Sequence, residues 1–392
     1  MSTTSLLVDH RERRFWLLAA AGLAVLAVGL GAAYYMEHHG HVVTGMSNEI
    51  VWGTPHVFAI FLIVAASGVL NVASIASVFG QAHYKPWSRL SGVLSLAMLA
   101  GGLMVLMLDL GRPERMVVAA THYNLTSVFA WNVLLYSGMF AAVFVYLWMQ
   151  LEKRMNRYAK AAGVAVLIWR FVLTTGTGMI FAFLVARQAY ASAVLPPLFI
   201  VMSLAWGMAV FVLVRAAVGG AADAELLRRM RNLLGLLVAL VLYFMAVYHL
   251  TNLYFAKQAA FERFILFDGG VYPWLFWIGY VLLGSVVPLV LVSRPTGTAR
   301  TLRVAAVLTI VGAFSALYVF IIGGQAFPLE IFPGYEVTSS FRDGAIASYA
   351  PSLPEVLLGL GGVAAAFLIT VIGIQVFDIV PDRTAAAVGG SD

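Results

Sequence analysis

The chain has 392 residues, 62% of them hydrophobic and 11% charged, with no cysteine and a formal net charge of +6. Soluble domains carry about 25% charged residues, so a water-soluble fold is excluded. Without cysteine the chain has no disulfides and cannot ligate an iron–sulfur cluster through thiolates. Runs of about 20 apolar residues, the length that crosses ~30 Å of hydrocarbon, recur ten times. They lie at approximately 15–36, 55–79, 90–109, 126–150, 161–187, 194–217, 232–256, 272–292, 303–324 and 354–377. They predict an all-α polytopic membrane protein with about ten transmembrane helices. Strands of a membrane β-barrel alternate polar and apolar residues, and these runs do not.

Residues 1–14 read as a cytoplasmic segment. The stretch DHRERR before the first run has the charge of a signal-peptide n-region. That run is longer than the usual h-region and offers no convincing cleavage site, so a retained first helix is expected. It ends at His38, His39 and His41, which read as solvated loop histidines with a metal site as the minor alternative. Trp52 and His56 stand at the head of span two, where Pro55 suits a first helical turn. Ser67, Gly68, Asn71 and Ser74 form a small, polar stripe that favours close helix packing, with a proton path as the alternative.

Span three runs into a knot of charge. Asp109, Arg112, Glu114 and Arg115 close it, Gly111 and Pro113 break it, and His122, Tyr123, Asn124 and Thr126 follow. Charges beside a bilayer need partners, water or a ligand. The knot is either an interfacial turn whose charges pair with each other or one wall of a binding site. Arg170 lies about nine residues into span five, so roughly 14 Å deep, with no acidic residue in the core of any span to pair with it. It either snorkels toward the cytoplasm and supports packing or forms a polar relay with Thr174, Thr175 and Thr177. AADAELLRRMRN, before span seven, reads as an interfacial helix. Tyr248, His249 and Asn252 end that span, with His249 and Asn252 three apart and so on one face. They are either belt residues or ligand contacts. The connection Gly324–Pro354 carries Glu330, Glu336, Arg342 and Asp343. Long structured loops between spans are usually functional or docking elements, and this one reads as a partner-binding surface.

With alternate loops on opposite sides, 17 of the 24 Lys and Arg share the side of the N-terminus, six lie opposite, and Arg170 is within a span. That asymmetry places both termini in the cytoplasm and accounts for the net charge, which is no nucleic-acid signal. The expected organisation is a single transmembrane domain over 15–377, with bundles 55–187 and 194–324, flanking helices 15–36 and 354–377, and a cytoplasmic tail over 378–392.

Three stretches carry a resemblance: WGTPHVFAIFLIVAASG (Trp52–Gly68), LDLGRPERM followed by NLTSVFAWN (within Val105–Asn132), and TGTGMIFAFLVARQAYASAVLPPLFIVMSLAWG (Thr175–Gly207). Over roughly Trp52 to Phe377 the chain resembles the NrfD-type membrane subunits, which include the polysulfide reductase membrane subunit and the large membrane subunit of some hydrogenases. Within that family it looks most like the DsrP-type subunit of the sulfur-metabolism complex linked to dissimilatory sulfite reductase. The resemblance implies a pair of four-helix bundles, a quinone pocket at the outer face of a bacterial inner membrane, and a place in a respiratory or sulfur-metabolism complex. It implies menaquinone or ubiquinone as bound substrate, with no intrinsic haem or iron–sulfur cluster. Besides the lipid bilayer, the implied partners are a periplasmic ferredoxin-like iron–sulfur subunit, a cytochrome and further membrane subunits.

The residues themselves show no nucleophile–base set, phosphate loop or zinc spacing. A quinone needs an apolar slot, hydrogen-bond partners for its two oxygens and a proton donor or acceptor. Histidine suits the proton step, because its unperturbed pKa is near neutrality. His56 and Asp109 are therefore the expected catalytic pair, with Trp52, Arg112, Tyr123, Asn124, His249 and Asn252 lining the same pocket and Arg112 holding Asp109. The alternatives are a carrier or ion pathway, weakened by the scarcity of buried charge and of matching broken helices, and a haem b protein with His56 and His249 as axial ligands.

The charge asymmetry generates a direct test of orientation. A cysteine introduced at Ser339, in a protein that has no other, is expected to react with a membrane-impermeant maleimide from the outer face of intact cells. Labelling only after permeabilisation reverses the assignment of sides.

Overall fold

The computed structural model describes residues 3–219, 224–294, 297–329, 335, 344–377 and 379, and among these all regular structure is helical. Ten helices are long and apolar enough to cross a membrane: α1 (Arg13–His39), α2 (Thr54–Ser77), α3 (Ala82–Leu108), α4 (Val128–Leu151), α5 (Asn156–Ala182), α6 (Leu195–Val218), α7 (Ala224–Tyr254), α8 (Val271–Ser293), α9 (Ala299–Ala326) and α10 (Leu353–Phe377). They follow the ten apolar runs, with two corrections. The charged stretch before span seven is no separate interfacial helix among the described residues. It continues without a break into α7, because no proline interrupts it and Glu225 holds Arg228 and Arg229 by ion pairs of 2.8 and 2.6 Å one turn on. The run at 161–187 also overshoots, since α5 stops at Ala182 and 183–194 form the turn into α6. Glu330, Glu336, Arg342, Asp343 and Ser339 lie outside the described residues.

The helices α2, α3, α4 and α5 pack around one another, α6 to α9 form a second group, and α2 and α5 meet α6 along the seam. Helix α10 lies against α3 and α2, and α1 packs mainly on α10. Lipid tails are as apolar as leucine, so helices associate in a bilayer through close van der Waals fit and small residues. The seam shows it: a Cβ on Gly207 would overlap the backbone of Gly68, and one on Gly68 would overlap the carbonyl of Ser203. The small stripe on α2 is thus first of all a packing surface.

That stripe is also where α2 is interrupted. Its helical geometry lapses at Leu70 (ψ 0°) before resuming at Asn71. In hydrocarbon a freed backbone carbonyl has no water to turn to and must be satisfied by the protein. Three side chains supply donors. Ser95 Oγ donates to Ala66 O at 2.8 Å, Ser91 Oγ to Val69 O at 2.8 Å, and Arg170 Nη1 to Ser67 O at 2.9 Å. Arg170 also donates to Asn71 Oδ1 at 3.0 Å and is only 3% exposed. It does not snorkel to an aqueous face; its partners are a carbonyl and an amide, which a search for acidic residues does not find. Thr174 joins this group through Ser67 at 2.8 Å, whereas Thr177 bonds back to Leu173 O of its own helix.

The Gly68–Gly207 contact predicts a position-specific cost. Gly207→Ala is expected to lower stability by about 1–3 kcal/mol through overpacking. Gly31→Ala, on the open face of α1 with no atom near the added carbon, should be neutral or gain up to about 1 kcal/mol from helix propensity. Thermal unfolding in detergent checks both; equal shifts for the two variants contradict the seam.

Candidate functional site

The head of α2 and the foot of α3 meet at one end of the bundle. There His56 Nδ1 lies 2.8 Å from Asp109 Oδ2, with Asp109 almost wholly buried and His56 nearly so. Local sequence places both. Gly53 and Pro55 start α2 so that His56 falls in its first turn, and α3 ends at Leu108 because Gly111 adopts φ +70°. With Nδ1 held on the carboxylate, Nε2 is the ring nitrogen left for a ligand. Asp109 Oδ1 is buried and has no hydrogen-bond partner among the described residues. Buried polar atoms are normally paired, so this oxygen is a second acceptor available to a hydroxyl.

One wall of the site is aromatic. The Trp52 indole stacks on the His56 ring at 5.4 Å between centroids, and its other neighbours are Phe181 at 5.6 Å and Tyr190 at 6.4 Å. Burial raises the Tyr190 pKa, and its hydroxyl donates to Ile321 O at 2.8 Å. A mostly apolar cavity of about 560 Å³ lies between α5 and α6, lined by Met179, Ala182, Phe183, Ala191 and Pro196 among others.

The chain entering α2, from Glu49 to Thr54, is held from three directions. Gln325, buried at the end of α9, accepts from Val51 N and Trp52 N at 3.0 Å and donates to Trp52 O at 2.9 Å. Arg187 donates to Gln325 O at 2.6 Å and Glu49 O at 2.8 Å. Tyr349 accepts from Thr54 N at 2.7 Å and donates to Glu355 Oε1 at 2.5 Å. Glu355 is fully buried, and its other oxygen accepts from Gly45 N at 2.9 Å and Ser352 N at 2.8 Å.

A second histidine–carboxylate pair lies in the other bundle. His249 Nδ1 is 2.6 Å from Glu262 Oε2, and Asn252 Nδ2 donates to Glu262 Oε1 at 2.7 Å. Glu262, on the short helix Ala256–Arg263 that follows α7, is fully buried. Tyr248, Phe320 and Tyr190 stand in sequence between this cluster and Trp52, at ring separations of 5.0, 6.4, 5.2 and 6.4 Å from His249 onward.

Of the residues expected from sequence, the structure therefore brings together Trp52, His56 and Asp109, and separately His249 with Asn252. It does not gather the rest. Arg112 is exposed and makes no ion pair with Asp109, whose partner is His56; Gly111 turns the chain away between them. Tyr123 donates to Ala130 O at 2.6 Å, and Asn124 accepts from Thr126 N and Oγ1 at 3.0 and 2.7 Å, so both stabilise the loop before α4. His56 and His249 sit in separate clusters, not face to face as axial ligands would. His38 and His39 stack on Tyr34 and Tyr35, and among the described residues no three ligating side chains converge on a metal position. Glu262, Gln325 and Glu355 escaped the sequence reading. A polar residue opening or closing an apolar run is a signal for the last two, and Glu262 lay hidden in a segment that looked like a loop.

Ten helices long and apolar enough to cross a membrane, with a buried histidine–carboxylate pair at one end, define a multi-pass integral membrane protein. The chain belongs to the family described as Polysulphide reductase, NrfD, which matches residues 42–329. It is 31% identical to the Hdr-like menaquinol oxidoreductase integral membrane subunit of Archaeoglobus fulgidus, over 97% of this protein and 98% of that one. It is 28% identical to a putative dimethyl sulfoxide reductase membrane subunit of Halobacterium salinarum, over 96% and 94% of the two sequences. A polysulfide reductase polypeptide of Wolinella succinogenes is 25% identical over 71% of this protein and 96% of its own length. These relatives bear on the family and not on the narrower sulfite-reductase-linked type.

Tyr349 links this geometry to alkaline pH. Burial first, and the hydrogen bond to Glu355 second, hold its hydroxyl protonated well above the usual tyrosine range. A raised folded-state pKa gives stability that is complete below the unfolded value near 10 and lost as pH rises beyond it. Wild-type protein is therefore expected to lose stability above about pH 10 more steeply than Tyr349→Phe, which starts lower. Thermal unfolding of both from about pH 8 to about pH 11 checks this; parallel curves refute it.

Proposed function

We propose that this chain is the quinone-reactive membrane subunit of a multi-subunit electron-transfer complex, with His56 and Asp109 at the quinone head group. The single observation that carries the reading is the buried 2.8 Å His56–Asp109 pair, with Nε2 and Asp109 Oδ1 left for a ligand beside the Trp52 ring. The membrane subunits among its relatives, one named for menaquinol oxidoreductase and others for dimethyl sulfoxide and polysulfide reductases, support it. The apolar cavity between α5 and α6 suits an isoprenoid tail.

Quinol oxidation releases two electrons and two protons, and reduction takes them up. In the oxidising direction His56 Nε2 accepts a hydroxyl proton as a positioned base, and Asp109 stabilises the imidazolium and passes charge toward the aqueous face. The electrons go to a metal-bearing partner at the same face, a ferredoxin-like iron–sulfur subunit with a cytochrome, since this chain has no cysteine. In this reading both termini are cytoplasmic and the site faces the periplasm, and sulfur metabolism is a fitting setting.

His56→Leu is expected to lower quinol turnover by ~10²-fold or more, the usual worth of a positioned acid–base group, while the complex still assembles. Asp109→Asn should retain quinone and slow the proton-coupled step, with a displaced pH profile. Turnover in the purified complex, with bound quinone assayed by extraction, is the measurement. Wild-type turnover in an assembled His56→Leu complex rejects the site.

A further inference from the structure

At the opposite end of the first bundle lies a cavity of about 710 Å³ that the quinone reading leaves unused. It opens where α2 ends and α5 begins, roughly 30 Å from His56 along α2 at 1.5 Å per residue. Lys85, Arg89 and Lys160 line it, together with Ser77, Ser88 and Asn156. No carboxylate lines it among the described residues, and neither lysine has an acidic partner there. Arg89 is anchored, its Nη2 donating to Gln150 O at 2.8 Å, and the nearly buried Gln150 accepts from Ser88 Oγ at 3.2 Å. The floor is therefore preorganised, while Lys85 and Lys160 at the rim are exposed.

Three cations around one hollow repel each other unless an anion sits among them. The cavity lies at the ends of the spans that carry most of the lysines and arginines, and basic pockets between helices at such a face take lipid phosphate groups. We propose that it binds the phosphodiester of an anionic phospholipid, with Arg89 on the phosphate oxygens and Lys85 and Lys160 closing over it. A phosphodiester is an acceptor-only group whose oxygens match a guanidinium and two ammonium groups. The apolar part of the wall, Ala76, Pro86 and Ala159, suits the glycerol and the start of the acyl chains. The inference concerns a lipid site and holds or fails independently of the quinone site.

The test uses the full-length protein purified in mild detergent. Native mass spectrometry would read retained phospholipid, and thermal unfolding would be followed while adding phosphatidylglycerol, phosphatidylcholine or inorganic phosphate. Wild type is expected to retain the anionic lipid and to be stabilised by it alone. Lys85→Gln/Lys160→Gln should weaken that response roughly tenfold or more, with Arg89 and its anchor left in place. Lys153→Gln/Arg154→Gln, on the same face but outside the cavity, should respond as wild type. An equal loss in that control would show general surface attraction and overturn the proposal. So would an equal response to inorganic phosphate, which would mark a soluble anion, or undiminished lipid retention by the double lysine variant.

Discussion

Hydrocarbon offers a protein no hydrogen bonds, and α2 is where this molecule meets that constraint most severely. Its start, like that of any helix, and its interruption at Leu70 both leave backbone groups without a partner in the helix. Five side chains from four other parts of the protein supply what is missing: Gln325 and Tyr349 at the head, and Arg170, Ser91 and Ser95 at the interruption. Each also fixes a neighbour. The groups that satisfy α2 therefore align α3, α5, α9 and α10 around it. His56 is placed by this arrangement, because it follows closely on Val51, Trp52 and Thr54, the residues that Gln325 and Tyr349 hold.

The two histidine–carboxylate pairs share a chemistry and differ in setting. In His56–Asp109 the unpaired buried atom is a carboxylate oxygen, whereas both oxygens of Glu262 are engaged by His249 and Asn252 and the unpaired atom there is Asn252 Oδ1. The aromatic residues between them, from Trp52 through Tyr190 and Phe320 to Tyr248, fill the seam between the bundles at this depth. That is why one shared pocket, reasonable from helix ends alone, resolves into two clusters.

Much of the fold was legible because bilayer thickness acts on length and hydropathy, and both are written locally. The ten runs and the polar knot after α3 follow from that. Trp52, His56 and Asp109 were also recoverable, since each is a polar or amphipathic residue at a span boundary where such residues need a reason. What escaped depends on distance along the sequence. Gln325 meets Trp52 across 273 positions, and Glu355 meets Gly45 across 310. Arg170 finds a backbone carbonyl that exists as an acceptor only because α2 is interrupted, which no residue list records. Arg112 and Asn124 misled for the converse reason: polarity in a knot was read as convergence, while the local turn already satisfied Asn124.

The part of the protein that matches the family ends at residue 329, before α10 begins. Helix α10 nevertheless places Glu355 beneath the start of α2, where it receives the hydroxyl of Tyr349 and the amide of Gly45. A segment outside the shared eight-helix frame has thus become a buttress of that frame's most demanding turn. An accessory helix of this kind is no longer an ornament that lineage history can discard: its loss would have to be preceded by some other group taking over the same backbone and hydroxyl donors.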